Sequence, residues 1–180
     1  DDAHGNAIGG FQPSVETKVH LSGNLRYGLE ITGRARDNRV FNAVIGAGFE
    51  AFNPLPNRVG GIFIGPSTSG TIVGGTQPFM ANRVLSNSGT GITIVGSRGT
   101  RIVGNEIRAN IGDGIAMTGV QGATIGTAAT GNAIISNGLN GVFVQGDSKG
   151  SSIVGNSIAA SGQNGLLLNA VTDLLVGGPV

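Results

Sequence analysis

The chain has no cysteine, no tryptophan and a single tyrosine. Without cysteine it can form neither disulfides nor thiolate metal sites. Charged residues are only 12% and aromatic residues only 4% of the sequence, which is unusual for an enzyme domain. The net charge of +1 supplies no strong field for a polyanion, so we expect neither nucleic acid nor an anionic membrane surface as a partner.

Long hydrophobic runs are also missing, because no stretch of 18 or more apolar residues occurs. The sequence therefore predicts no membrane insertion. The chain starts at Asp1 and Asp2, without a methionine or a signal peptide. We expect it to be a processed or excised part of a longer protein.

Glycine and aliphatic residues are abundant. The 180 residues include 34 glycines, and 39% of the residues are hydrophobic. Collagen requires glycine at every third position and disordered chains have few aliphatic residues, so both classes are excluded. One domain of turn-rich, aliphatic β structure is the prediction.

A repeated segment sets the organisation of the chain. A glycine followed by alternating apolar residues recurs at spacings of 33, 30, 23, 27 and 24 residues. The six glycines are Gly28, Gly61, Gly91, Gly114, Gly141 and Gly165. We attribute the glycines to sharp corners that need a left-handed backbone.

An asparagine lies four residues before each of the first five glycines. These residues are Asn24, Asn57, Asn87, Asn110 and Asn137, and Ser161 holds the sixth position. Asparagines stacked at the strand spacing of about 4.8 Å form amide ladders. We predict a structural ladder at this corner.

Two further columns complete the repeat. The second pairs an apolar residue with glycine, at Ile45-Gly46, Val73-Gly74, Val103-Gly104, Ile125-Gly126, Val154-Gly155 and Val176-Gly177. The third begins with asparagine, at Asn38, Asn82, Asn105, Asn132 and Asn156. The same order recurs without reversal, so equivalent strands stack in parallel, three per coil.

The segments NRVLSNSGTGITIVGSRGTRIVGNEI and NAIISNGLNGVFVQGDSKGSSIVGNSI resemble the repeats of bacterial extracellular right-handed parallel β-helix proteins, the pectin-lyase-like superfamily. The resemblance implies an all-β solenoid of about six to seven coils. We expect a lead-in segment or partial coil over residues 1–19 and the β-helix over residues 20–178. The resemblance also implies a secreted or cell-surface location.

The resemblance leaves the function open, because this fold serves many activities. Our first expectation is a non-catalytic rigid stalk, adhesin segment or glycan-binding scaffold. A polysaccharide lyase, hydrolase or epimerase fragment is one alternative, and a tailspike-like or filament-like assembly segment is another. Polysaccharides or surface glycans, a second copy of the chain, or the rest of a longer protein are the expected partners.

Catalysis on such a scaffold needs carboxylates that converge on one face. The candidates are Glu30, Asp37, Glu50 and Asp113. Glu30 and Asp37 lie in the densest charge cluster of the sequence, which also fits a solvated surface patch. Asp113 precedes a repeat glycine, where turn chemistry explains it.

Two longer insertions, from Gly46 and from Gly74, are expected to project on one side of the solenoid and to offer a ligand surface. Its candidate residues are Phe49, Phe52, Arg58, Phe79 and Arg83. The rings would stack on sugars, or fold back as a hydrophobic lid. Stacked coils would also place Arg83 beside Glu106 as an ion pair.

Metal and cofactor sites are not predicted. His4 and His20 are the only histidines, and neither has further ligands at a suitable spacing. An outward apolar stripe, with Phe63, Phe143 and Leu167, favours association with another chain.

Overall fold

The computed structural model describes residues 3–10, 18–49 and 53–178. Each coil of the chain contributes one short strand to each of three parallel sheets, and consecutive coils stack. The predicted parallel β-helix is thereby confirmed. Among the described residues, no helix is long and apolar enough to cross a membrane.

Sheets A, B and C contain seven, six and six strands. Sheet A consists of β1 (Ala7–Ile8), β4 (Arg39–Val40), β7 (Ile72–Gly74), β10 (Arg101–Val103), β13 (Thr124–Ile125), β16 (Ser151–Ile153) and β19 (Leu174–Val176). Sheet B consists of β2 (Val19–Leu21), β5 (Ala43–Ile45), β8 (Arg83–Leu85), β11 (Glu106–Arg108), β14 (Ala133–Ile135) and β17 (Ser157–Ala159). Sheet C consists of β3 (Tyr27–Ile31), β6 (Gly60–Ile64), β9 (Thr90–Val95), β12 (Ile115–Thr118), β15 (Val142–Gln145) and β18 (Leu166–Asn169). Coil 1 holds β1 to β3, and coils 2 to 6 follow with three strands each.

The core is a set of aliphatic columns that run along the solenoid. In sheet C, Ile62 pairs with Ile92, Ile92 with Ile115, and Ile115 with Val142. All four side chains are fully buried. Burying one such side chain stabilises the fold by about 1.5–3 kcal/mol, so the stacked columns supply the main favourable term.

Coil 2 corrects the predicted columns. Val40 pairs with Val73 in sheet A, whereas Ile45 pairs with Val84 in sheet B. Asn38 and Arg39 therefore belong to sheet A rather than to the column of Asn82. The pattern was misleading because asparagine precedes strands of both sheets in this coil.

The second column also contains a shift of one residue. Val73 pairs with Ile102, and Ile102 pairs with Ile125, so Val103 lies opposite Gly74. Ile153 replaces Val154 in the same way. Because side chains alternate between the two faces of a strand, the core column consists of the apolar residues that point inward. The residue before each glycine is not always one of them.

Asparagine ladders occupy two corners. Between sheets B and C, Nδ2 to Oδ1 distances are 2.8, 2.8, 2.9 and 3.0 Å along the ladder of Asn24, Asn57, Asn87, Asn110 and Asn137. Between sheets A and B, they are 2.9, 2.9 and 2.8 Å along the ladder of Asn82, Asn105, Asn132 and Asn156. The amides also donate to carbonyl groups, for example Asn105 to Val73 at 2.9 Å. Buried amides thus have partners on both sides.

The repeat glycines before sheet C have a different cause from the predicted one, because none of them has a positive φ. A Cβ on Gly91 would lie 2.7 Å from the Gly114 carbonyl oxygen and 2.8 Å from Asn110 Nδ2. Space beside the ladder, rather than backbone conformation, requires glycine at this column.

Candidate functional site

A four-residue segment enters sheet A in every coil. The segments are HGNA from His4, RDNR from Arg36, SGTI from Ser69, RGTR from Arg98, QGAT from Gln121, KGSS from Lys149 and TDLL from Thr172. Parallel bridges join the first residues of the first five segments in order. The first and fourth side chains of these segments therefore form two rows on the outer face of sheet A.

The second residue of each segment turns the backbone. Its φ is +66° at Gly5, +54° at Asp37, +63° at Gly70 and +53° at Asp173. Aspartate tolerates this left-handed region better than most residues, and glycine adopts it without strain. A turn position shared with glycine accounts for Asp37, which was a catalytic candidate.

Four arginines form a frame on this face. Arg36 and Arg39 lie in coil 2, Arg98 and Arg101 lie in coil 4, and all four are exposed. Two strand spacings separate the pairs, or about 10 Å. Within each pair, three residues span no more than about 10 Å. We call these residues the arginine frame.

The frame flanks coil 3, which contributes the uncharged residues Ser69 and Ile72 to the two rows. Ile72 pairs with Arg39 on one side and with Arg101 on the other. No ion pair among the described residues involves Arg39, Arg98 or Arg101. None of the first and fourth positions in the seven segments is acidic. Arg39, Arg98 and Arg101 thus lack an ion-pair partner among the described residues, and the nearest acid of the frame, Asp37, has its carboxylate beside Gly70 of coil 3.

A groove of about 220 Å³ runs along β7 from the Arg39 and Arg101 edge of the frame towards Met80. We call it the trough. Its lining consists of Arg39, Phe41, Ile72, Gly74, Gly75, Thr76, Met80, Arg101 and Val103. Ile72 and Gly74 form the floor, the two arginines belong to the flanking coils, and Met80 ends the 3-10 helix Pro78–Met80. The trough combines cationic sides with a partly apolar floor.

Sequence reasoning missed this site because it assigned Arg39 to the row of Arg83. In the structure Arg83 pairs with Glu106 in sheet B, while Arg39 pairs with Ile72 in sheet A. A usable signal is present in the sequence, since RDNR and RGTR repeat one arginine spacing two coils apart.

The structure does not bring the described carboxylate candidates together. Glu30 points outward on sheet C, with Oε2 3.5 Å from Arg26 Nη2. Asp37 lies where the chain enters sheet A. Asp113 lies between sheets B and C, and its Oδ1 accepts the Asn140 backbone N–H at 2.9 Å and Nδ2 at 2.7 Å. Glu50 lies outside the described residues.

The two insertions do not project together, contrary to expectation. One follows β5 and the other precedes β8, so they flank opposite ends of the sheet B strands. Phe49 is 92% exposed, and its ring stacks on His20 with centroids 5.0 Å apart. Phe79 is half-buried in the 3-10 helix, and Phe52 lies outside the described residues.

The two arginines of the predicted loop surface have separate environments. Arg83 Nε lies 2.7 Å from Glu106 Oε2, and Arg108 Nε lies 2.7 Å from Glu106 Oε1. Arg83 therefore has an inter-coil partner already. Arg58 is exposed at the corner between sheets B and C, where its backbone N–H donates to the Asn24 carbonyl at 3.0 Å.

Soft metal ligands are few and scattered. His4 is exposed beside sheet A, His20 lies in β2, and Met117 is fully buried in the core. Met80 lines the trough without a histidine among its lining neighbours. Among the described residues, no group of three or more His, Cys, Asp or Glu side chains could hold a metal ion.

The outer face of sheet C is more apolar than that of sheet A. Its register aligns Glu30, Phe63, Thr93, Ala116, Phe143 and Leu167. Phe63 stacks on Tyr27 with ring centroids 5.0 Å apart. Association with another chain through this stripe stays a prediction.

Known structures share the fold. The periplasmic alginate epimerase AlgG matches 97% of the chain at 18% identity, with a TM-score of 0.62. The Dettilon tailspike protein matches 96% at 16% identity, with a TM-score of 0.50. The chain spans 39% of the length of each of these proteins. At these identities the likeness establishes the parallel β-helix alone.

No curated protein sequence matches the chain significantly. A family model does match, over residues 35–176, and the family is described as periplasmic copper-binding protein (NosD). The match includes both arginine segments and all strands from β4 to β19. Because it covers most of the sequence, the chain belongs to the NosD family.

Proposed function

We propose that the chain is a non-catalytic β-helix module that works outside the cytoplasm as a rigid glycan-binding scaffold, with the trough as its ligand surface. The periplasmic description of the family supports the location. The fold neighbours are named as an alginate epimerase and a tailspike, and the first of these names supports a glycan as ligand.

The trough is the observation that carries this proposal. Its volume of about 220 Å³ lies below the roughly 300–1,000 Å³ of pockets that enclose small molecules. It is open and follows a strand, so it suits one ring of a polymer. Ile72 and Met80 offer apolar contact to a ring face, while Thr76 and the arginines offer polar contact to its substituents. Stacked coils hold these groups in place before a ligand arrives, which lowers the entropic cost of binding.

A scaffold role agrees with the positions of the acids. Glycosidic bond cleavage commonly uses two carboxyl groups about 5–9.5 Å apart across the bond. Glu30 forms an ion pair with Arg26, and Asp37 lies at a turn with a positive φ. The carboxylate of Asp113 accepts a hydrogen bond from the Asn140 amide. None of these acids lines the trough. An enzyme that uses Glu50 stays the alternative prediction.

Copper has to be considered because the family description names it. Copper sites in proteins use thiolate, thioether and imidazole ligands in close groups. This chain has no cysteine, two histidines and two methionines, and the structure separates Met80 in the trough from Met117 in the core. These residues do not fit a copper site, and we assign copper no role here.

The two methionines give a direct test. Chain labelled with [methyl-¹³C]methionine has two methyl signals, one from the trough and one from the buried core. Titration with oligosaccharides of alginate, polygalacturonate and dextran should shift the Met80 signal and leave the Met117 signal in place. A reducing-end assay on the same samples should find no new chain ends.

The substitutions Met80→Leu and Met117→Leu assign the two signals. Glycan binding that leaves Met80 unshifted would overturn the trough as the ligand surface. New reducing ends that persist after repurification, and are lost in Glu50→Gln, would replace the scaffold proposal with the enzyme alternative. Absence of binding to every glycan would overturn the proposed function.

A further inference from the structure

We infer that the glycan bound in the trough is an acidic polysaccharide, held through its carboxylate or sulfate groups by the arginine frame. The inference rests on the proposed function and specifies the class of ligand. It follows from three observations on sheet A: the charge of the face, the geometry of the four arginines, and the groove that Arg39 and Arg101 line.

The charge of the face is concentrated. The whole chain has a net charge of only +1, yet four exposed arginines lie on one face of two coils. Among the arginines outside the frame, Arg26 faces Glu30, and Arg83 and Arg108 face Glu106. No described acid pairs with Arg39, Arg98 or Arg101, so these groups are available to an anion from solution.

The spacing suits a chain with regularly placed charges. A polymer strand lying along β7 would have Arg36 and Arg39 on one side and Arg98 and Arg101 on the other. A guanidinium group binds a carboxylate or a sulfate through two parallel hydrogen bonds, which lysine cannot reproduce. Arg39 on one side and Arg98 and Arg101 on the other therefore offer guanidinium groups to both sides of a single strand.

The trough favours a polysaccharide over other polyanions. Single-stranded nucleic acid binds through aromatic rings on which bases stack, whereas Phe41, the aromatic residue of the lining, is only 2% exposed. Peripheral membrane binding uses exposed apolar groups around the basic ones. Here Ile72 is half-buried between Arg39 and Arg101 of the neighbouring coils, where a narrow strand reaches it and a flat bilayer does not.

The experiment measures binding of alginate and polygalacturonate by calorimetry to the full chain and to charge-matched variants. Arg39→Gln/Arg101→Gln alters the trough. Arg26→Gln/Arg58→Gln removes the same charge from exposed arginines outside the frame. We expect Kd to rise at least about tenfold in the first variant, and less than about twofold in the second. Arg39→Lys/Arg101→Lys should recover only part of the loss.

The salt dependence gives a second readout. Removing two ionic contacts should lower the slope of log K against log salt concentration by roughly one to two. Circular dichroism and thermal melts check that each variant keeps the native fold. Because the four substituted arginines are all exposed, we expect the melts of the variants to coincide with that of the original chain.

The outcomes separate this inference from the function on which it rests. Equal weakening in both double variants would show a general charge effect and overturn the frame. Dextran binding as tight as alginate binding would overturn the acidic class and leave the glycan scaffold standing. Tighter binding of single-stranded DNA or of phosphatidylglycerol vesicles would overturn the polysaccharide assignment, and no binding to any glycan would overturn both proposals.

Discussion

Asp113 and Asn140 join coils 4 and 5 through a buried carboxylate and an amide. Asp113 Oδ1 lies 2.7 Å from Asn140 Nδ2, and Asn140 Oδ1 in turn accepts Asn164 Nδ2 at 2.9 Å. A carboxylate thus begins a third short ladder, parallel to the asparagine ladder at the same corner. The relationship gives Asp113 a structural role that does not depend on chemistry with a substrate.

The substitution Asp113→Ala should lower the free energy of unfolding by about 1–3 kcal/mol, because both Asn140 donors lose their acceptor in a buried place. Asp113→Asn keeps a side-chain oxygen and should cost less than about 1 kcal/mol. Urea denaturation followed by circular dichroism measures both. Equal loss in the two variants would contradict this assignment and indicate that the charge itself is required.

Asn110→Ala tests the main ladder at its middle. Asn110 Oδ1 accepts the Asn87 N–H at 3.1 Å and Nδ2 at 2.9 Å, while its own Nδ2 donates to Asn137 at 3.0 Å. Removing the amide leaves several buried groups unpaired, and we expect a loss of about 3 kcal/mol in urea denaturation. Asn24→Ala, at the exposed end, should cost less than about 1 kcal/mol. Similar losses at both positions would argue against a cooperative ladder.

Gly91→Ala tests the explanation given for the repeat glycines. Its Cβ would meet the Gly114 carbonyl, the Asn110 amide and, at 2.9 Å, Ile107 Cγ2. Overpacking of this kind costs about 1–3 kcal/mol, and the thermal midpoint should fall accordingly. Gly178→Ala is the matched control, since its Cβ meets nothing within 4 Å. An unchanged midpoint for Gly91→Ala would refute the steric explanation.

Copper should leave the stability of the untagged chain unchanged. A ligand present at 100 times its Kd stabilises the native state by about 2.7 kcal/mol, which a thermal melt detects readily. We expect coincident melts with and without Cu(I) or Cu(II), and no copper retained after dialysis. A saturable rise in the melting temperature, lost in His4→Ala or His20→Ala, would contradict the ligand argument.

The repeat was sufficient to predict the fold and most of the core. Period-two alternation after each repeat glycine correctly identified the buried residues of sheet C, such as Ile92 and Ile115. Asparagine at a constant offset likewise marked the corner where the ladder lies. These features are readable because a stacked coil imposes the same environment on the same position each time.

The register of sheet A was harder to predict. Its strands are two or three residues long, and coil 2 has asparagine before the strands of two sheets, at Asn38 and Asn42. With so little alternation to fix it, one misassigned coil moved Arg39 away from Arg101. The trough could not be predicted from this register, because its lining comes from three coils that must be aligned correctly.

The parallel register gives the arginine frame a fixed scale. The gap between its two pairs follows from the number of coils between RDNR and RGTR, and backbone hydrogen bonds set the height of each coil. Substitutions cannot change that gap gradually, because the distance between the two coils changes only by whole strand spacings of about 4.8 Å. Deleting or duplicating one coil would therefore change the gap by one strand spacing, and the frame would then match a ligand with a different distance between its charges.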